Sequence, residues 1–168
     1  MKRKKITATI DGISYKIDSY EHTTEFGNRN KDTVAEFLKD SYEGNIDENY
    51  NLSNGYSYIF VTMTYTNNTD EQVEILRNAG AFYIINDDLE RLQVGDPGGI
   101  YIDNYWTEGK ENERYHYVLG AGESVTSEVG YIIQDEWMSE DSKYIYYCIE
   151  GKDSKTNDTV QKYFKLEL

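Results

Sequence analysis

The sequence predicts an all-β chain, an antiparallel β-sandwich carrying one short helical insertion, and three observations support this. The stretch Tyr58 to Asn68 places Ile59, Val61, Met63 and Tyr65 on one face and Phe60, Thr62, Thr64 and Thr66 on the other. That is period-two alternation of β-branched and aromatic residues. Runs of the same kind recur along the chain, divided by Asn, Asp and Gly turn signals, as in a sandwich and unlike alternating βαβ units. Helical spacing appears in one short island only. No repeat of fixed period is present, and 168 residues fit a single domain spanning 1–168.

Taken in order, Lys4 to Ile10 alternates with Ile6, Ala8 and Ile10 on one face, and Ile13, Tyr15 and Ile17 resume the pattern after Asp11-Gly12. Asp-Gly between two such runs signals a type I′ hairpin, because both central positions need positive φ. The lysine-rich start of this hairpin suits a sheet edge, where charge discourages pairing with another chain. Residues 21–55 read as a polar insertion rich in Asn, Asp and Gly. Within it Thr33-Val34-Ala35-Glu36 has the spacing of a capping box. Val34, Phe37 and Leu38 then share a helical face, which is too short to stand alone and is expected to dock on the sandwich.

The Tyr58 strand stops at Asn67-Asn68-Thr69-Asp70. Val73 to Leu76 and Gly80 to Asn86 are further strands, Asp87-Asp88 is a turn, and Leu89 to Val94 pairs back across it. Residues 95–113 read as a second long loop. Arg114 to Leu119 and Ser124 to Ile133 alternate on either side of Gly120-Ala121-Gly122-Glu123. Lys143 to Glu150 is apolar on both faces (Tyr144, Tyr146 and Cys148 against Ile145, Tyr147 and Ile149), which predicts a central position. After the loop Gly151 to Asp158, Val160 to Leu168 closes the chain with Phe164, Leu166 and Leu168 inward. The expected count is about eight strands.

Composition narrows the partners. With 31 acidic and 17 basic residues the formal charge is −14, which repels phosphate backbones and anionic lipid, so no nucleic-acid partner is expected. The 17 tyrosines, against 5 Phe and 2 Trp, suit half-wet strands with a ring inside and a hydroxyl at the edge. No apolar run is long enough to span a bilayer, so direct membrane insertion is not expected. Met1-Lys2-Arg3-Lys4-Lys5 has the charge of a signal-peptide start, but the following Ile6-Thr7-Ala8-Thr9-Ile10 alternates and meets Asp11. Two histories fit: a cytosolic protein, or a mature chain whose export signal has been removed. A lone Cys148 rules out an intramolecular disulfide.

Three features resemble a bacterial immunoglobulin-like family of unknown function. They are the strand ending in Asn67-Asn68-Thr69, the turn Leu119-Gly120-Ala121-Gly122-Glu123-Ser124 leading into Val129-Gly130-Tyr131, and the closing pair Lys143–Ile149 and Tyr163–Leu168. The resemblance covers 13–17 and 56–168, and the segments 21–55 and 95–113 depart from it. It implies an immunoglobulin-like sandwich like that of the mycobacterial immunoprotective extracellular antigen. It also implies a secreted or lipid-anchored protein of a Gram-positive bacterium, extracellular or held at the cell surface. The family has no established activity, so no catalytic residue carries over.

The residues themselves offer three sites. A Cys–His dyad would need Cys148 beside His116, yet Cys148 lies in an apolar strand and reads as a small core hydrophobe. Asp87, Asp88 and Glu90 share a turn, and Asp96 and Asp103 share a loop, as oxygen ligands for calcium do. Acidic turns are expected in so acidic a chain, and no metal or cofactor is expected. Tyr101, Tyr105 and Trp106 in the second loop, with Trp137 after a strand, would form a stacking platform for sugars if exposed, or plug the end of the sandwich if not. The expected function is a non-catalytic extracellular interaction or adhesion module of a bacterial surface protein, with an unknown protein or glycan as partner. The alternative is a carbohydrate-binding module using those aromatics.

Overall fold

The predicted first hairpin joins β1 (Ile6–Ile10) to β2 (Ile13–Thr23) through Asp11 and Gly12, whose φ angles of 47° and 79° are the pair a type I′ turn demands. The structure, a computed structural model, describes residues 6–77, 80–85, 90–94, 99–103, 113, 115–138 and 145–167. These form eleven strands. After β2 come a 3-10 turn at Lys31–Thr33 and the short helix α1 (Leu38–Ser41). The other strands are β3 (Tyr56–Asn67), β4 (Val73–Leu76), β5 (Gly80–Ile85), β6 (Arg91–Val94), β7 (Tyr101–Ile102), β8 (His116–Leu119), β9 (Ser124–Gln134), β10 (Ile145–Lys152) and β11 (Thr159–Leu166).

One sheet has the order β1-β2-β3-β9-β7 and the other β11-β10-β5-β6, while β4 and β8 form a two-stranded ribbon; the pairings are antiparallel. β1 is an edge and β10 is central, as the lysines and the doubly apolar run predict. The main core lies between the sheets. Ile59, Val61, Met63 and Tyr65 of β3 and Val129, Tyr131 and Ile133 of β9 meet Phe82, Tyr147, Ile149, Phe164 and Leu166 of the opposite sheet, and the ribbon adds Ile75 and Leu119. This is an antiparallel β-sandwich.

A second core covers part of the outer face of the five-stranded sheet. Tyr58, Phe60 and Ile132 pack there against Phe26, Val34, Leu38, Tyr42 and Leu52 of the insertion, with Ile100 and Tyr101. The insertion therefore docks as expected, but by a different local structure. Val34 has extended backbone and bridges Tyr101, and Ala35 N–H donates to Ile100 O at 2.7 Å. That pairing displaces the capping box. Thr33 Oγ1 instead donates to Asn30 O, and α1 begins after Phe37 without a side-chain cap. Phe37 points to water with 56% exposure. The insertion also starts later than residue 21, because Glu21–Thr23 continue β2 opposite Phe60–Tyr58, past a register shift between Ile17 and Ser19.

Arg29 clamps the insertion to the sheet. Its guanidinium lies 3.4 Å above the Phe60 ring and donates to both carboxylate oxygens of Glu128 (2.6 and 3.1 Å), to Glu21 (2.7 Å) and to Phe26 O (3.0 Å). A planar fork stacked on a ring while it holds a carboxylate is arginine chemistry that lysine does not reproduce. Arg77, 1% exposed, lies on the sandwich side, where Nη1 donates to Ser127 Oγ (2.7 Å) and its carbonyl accepts from Tyr65 (2.9 Å).

The Asn67-Asn68-Thr69 signature has a local physical cause. Asn67 is fully buried. Its amide nitrogen donates to Glu71 O (2.7 Å) and Gly120 O (3.0 Å), and its oxygen accepts from Thr69 N and Thr69 Oγ1 (2.9 and 2.7 Å). Its backbone N–H reaches Glu123 O, and Asn68 Nδ2 reaches Gly12 O. One side chain thus ties the end of β3 to the turn between β8 and β9. Asn67→Ala strips buried carbonyls of their donor and is expected to cost roughly 1–3 kcal/mol, read as a drop in urea midpoint at unchanged m-value.

The buried tyrosines set the alkaline limit. Tyr65, Tyr131 and Tyr147 are at most 2% exposed, Tyr131 and Tyr147 share a hydrogen bond of 2.7 Å, and burial raises all three phenols above their ordinary value. Unfolded tyrosine ionises near about 10, so above that pH the unfolded chain loses protons that the native chain keeps, and stability falls as pH rises. In a titration followed by tyrosinate absorbance and circular dichroism together, the buried fraction should ionise only as the β signal is lost.

Candidate functional site

Of the sequence-predicted platform, Tyr101 is the one residue whose side chain the structure describes. Tyr101 is a strand residue, not a loop residue: β7 pairs with β9 opposite Gly130, and the ring is 3% exposed between Phe26 and Phe60. Burial raises its phenol to about 12. The open edge of β9 takes up this part of the 95–113 segment, and Gly130 leaves room for the Tyr101 Cβ beside it. Tyr105 and Trp106 lie outside the described residues. The backbone of Trp137 closes a 3-10 turn at Asp135–Trp137, and its side chain is likewise outside the described set. Of the calcium candidates, Asp87, Asp88 and Asp96 fall outside the described residues. Glu90 is exposed before β6, and Asp103 Oδ1 accepts from Glu128 N at 2.8 Å.

The structure assembles a different aromatic surface, on the outer face of the four-stranded sheet. Cross-strand pairing sets Tyr83 beside Tyr146, and Cys148 between Ala81 and Tyr163. Tyr83, Tyr146 and Tyr163 are half-buried and belong to neither core. The rings of Tyr83 and Tyr163 meet edge to face, centroids 6.0 Å apart. Arg91, from the opposite edge strand, crosses this face with its guanidinium 5.6 Å from the Tyr83 ring and 5.9 Å from the Tyr163 ring. It donates to Gln161 Oε1 (2.6 Å) and to the Tyr163 hydroxyl. The doubly apolar run of β10 carried this signal, since one of its faces fills the core and the other surfaces here.

Two polar clusters stand elsewhere. At one end of the five-stranded sheet Ser57 Oγ donates to Asp135 Oδ1 (2.5 Å) and accepts from His22 Nε2 (2.7 Å). The residue types are those of a nucleophilic triad, but the order is not: the serine stands between the histidine and the acid, and is 2% exposed. A nucleophile needs the imidazole in the middle and its own oxygen open to substrate. The chain of bonds fastens β2 and β3 to the turn after β9. No short-range spacing announces it, because its members lie 35 and 78 residues apart. On the ribbon, His116 Nδ1 lies 2.8 Å from Glu74 Oε1 and 3.5 Å from Glu113 Oε2. Those donors could hold a divalent cation, and they equally suit an imidazolium ion pair.

Cys148 and His116 sit in different sheets. The thiol is 3% exposed, donates to Ile149 O, and is raised above its ordinary pKa by burial, so it holds less thiolate than a free cysteine. Iodoacetamide at mildly alkaline pH should leave the native protein unmodified and alkylate Cys148 on unfolding, as mass spectrometry would show.

No family model matches the sequence, and no curated protein matches it. Among the described residues no helix is long and apolar enough to cross a membrane. Solved structures match the fold. A protein of unknown function from Listeria monocytogenes EGD-e aligns with a TM-score of 0.54 at 14% identity, covering 95% of this chain and 81% of its own. The YcdA protein of Bacillus subtilis, a candidate lipoprotein, aligns with a TM-score of 0.50 at 12% identity over 98% of this chain and 39% of YcdA, so the chain spans well under half of that molecule. At such identities the likeness is one of fold, and the chain shares its β-sandwich architecture with bacterial proteins.

Proposed function

We propose that the chain is a non-catalytic interaction or adhesion module of a bacterial surface protein, an immunoglobulin-like sandwich that meets a protein partner through the tyrosine face of the four-stranded sheet. One observation carries the reading. The outer face of the five-stranded sheet is partly covered by the chain's own insertion, whereas Tyr83, Tyr146 and Tyr163 with Arg91 stand on the other outer face outside both cores. Tyrosine and arginine are enriched at interfaces, where large rings supply contact area at little entropic cost and a guanidinium supplies several donors. The candidate lipoprotein among the structural neighbours supports a place outside the cell, secreted or anchored.

Beads coated with the protein, applied to intact Gram-positive cells with and without periodate treatment, test the reading. Adhesion that survives periodate and falls about tenfold in Tyr83→Ser/Tyr163→Ser is the expected outcome. The variant removes half-exposed rings, so its melting temperature serves as the folding control. Adhesion lost to periodate moves the ligand to glycan, and equal adhesion of the folded variant removes the tyrosine face.

A further inference from the structure

A cleft of about 470 Å³ opens beside the tip of the first hairpin. Three segments wall it: the Asp11 turn, the stretch from Thr69 to Leu76, and the Glu150–Ser154 end of the last hairpin. Its volume falls in the range of ligand-binding clefts. Buried Ile10, Ile13 and Ile75 back the cleft, and half-buried Tyr15 and Val73, with Leu76 44% exposed at the rim, give its floor apolar surface.

The charge around this floor is mostly negative. Among the described residues Asp11, Asp70, Glu71, Glu74 and Glu150 line the cleft with one cation, Lys152, and Glu74 is paired with His116. The hydrogen bonds to Asp11 and Glu150 come from neutral groups, Ser154 Oγ (2.6 Å) and Gln161 Nε2 (2.8 Å). Asp70 and Glu71 form no ion pair among the described residues. Tyr15 registers the field, since burial first and the Asp11 carboxylate second raise its phenol above the ordinary value. Carboxylates spaced around an apolar floor make a poor cage for a metal ion, which needs converging oxygens. They make a good match for a side chain with an aliphatic stem and a cationic head, because the stem lies on apolar surface while the head reaches the rim.

We infer that this cleft binds a lysine- or arginine-bearing segment of a partner polypeptide, stems on Tyr15, Val73 and Leu76 and cationic heads on Asp70 and Glu71. The binding is a second contact, independent of the tyrosine face. Charge complementarity selects the occupant, and the apolar floor separates a peptide from a simple cation.

The probe is a fluorescent peptide of alternating lysine and leucine, titrated into the full chain by polarisation. Asp70→Asn/Glu71→Gln is expected to weaken binding about tenfold, and Leu76→Ser to weaken it as well. A control variant of equal net charge, Asp32→Asn/Glu36→Gln, alters exposed carboxylates far from the cleft and should bind as the parent does. Equal loss in the control would show attraction to the overall charge of −14 and overturn the assignment. Spermine competing as well as the peptide would overturn it in favour of a small polycation. Concentration-dependent dimerisation abolished by deleting Met1–Lys5 would overturn it in favour of the chain's own basic terminus.

Discussion

Strand β3 must serve two apolar layers with one backbone. Its pleat sends Ile59, Val61, Met63 and Tyr65 into the space between the sheets and Tyr58 and Phe60 to the opposite side. Beyond Phe60 the outer positions become Thr62, Thr64 and Thr66, and the second layer ends there. Thr64 bonds Thr126 and Asp18, and Thr66 bonds Ser124, so hydroxyls replace rings where the covering stops. A register slip of one residue would exchange both layers and leave a row of threonines in the main core. Because β3 lies between β2 and β9 and pairs along nearly its whole length with each, its register fixes theirs.

The two outer faces are treated differently as a result. On the first sheet the polar insertion supplies Phe26, Leu38 and Tyr42 as a lid, and Arg29 fixes that lid by stacking on Phe60 while bridging Glu21 and Glu128. On the second sheet the outward residues include Tyr83, Tyr146 and Tyr163, tyrosines with their own hydroxyls. Such residues tolerate water and still offer ring area to a partner. The buried Arg77 adds a polar fixture on the inner side, joining the ribbon to β9 through Ser127 and to β3 through Tyr65.

The long strands were legible because a half-buried surface imposes its period on the chain, and the Asp11-Gly12 turn because only certain residues take positive φ twice running. The insertion was legible in its destination and not in its form. Val34 and Leu38 do reach the sheet, but a backbone bridge to Tyr101 outcompeted the capping geometry that Thr33 and Glu36 suggest. Tyr101 itself was misplaced because a two-residue strand has no period to read, and its burial depends on the small Gly130 across the ladder. The cleft, and the tyrosine face beyond the β10 run that hinted at it, were hidden for another reason. Each gathers residues from segments far apart in sequence, and sequence spacing holds no record of such meetings.

Asn67 bears on how resemblance among such chains should be weighed. The short signature that suggests kinship is, in this molecule, a knot of main-chain acceptors gathered by one amide. That knot bears on whether the sandwich closes, not on what it touches. Sequences collected by the motif would therefore be united by carpentry, and their ligands would diverge freely in the walls and faces that the knot never meets.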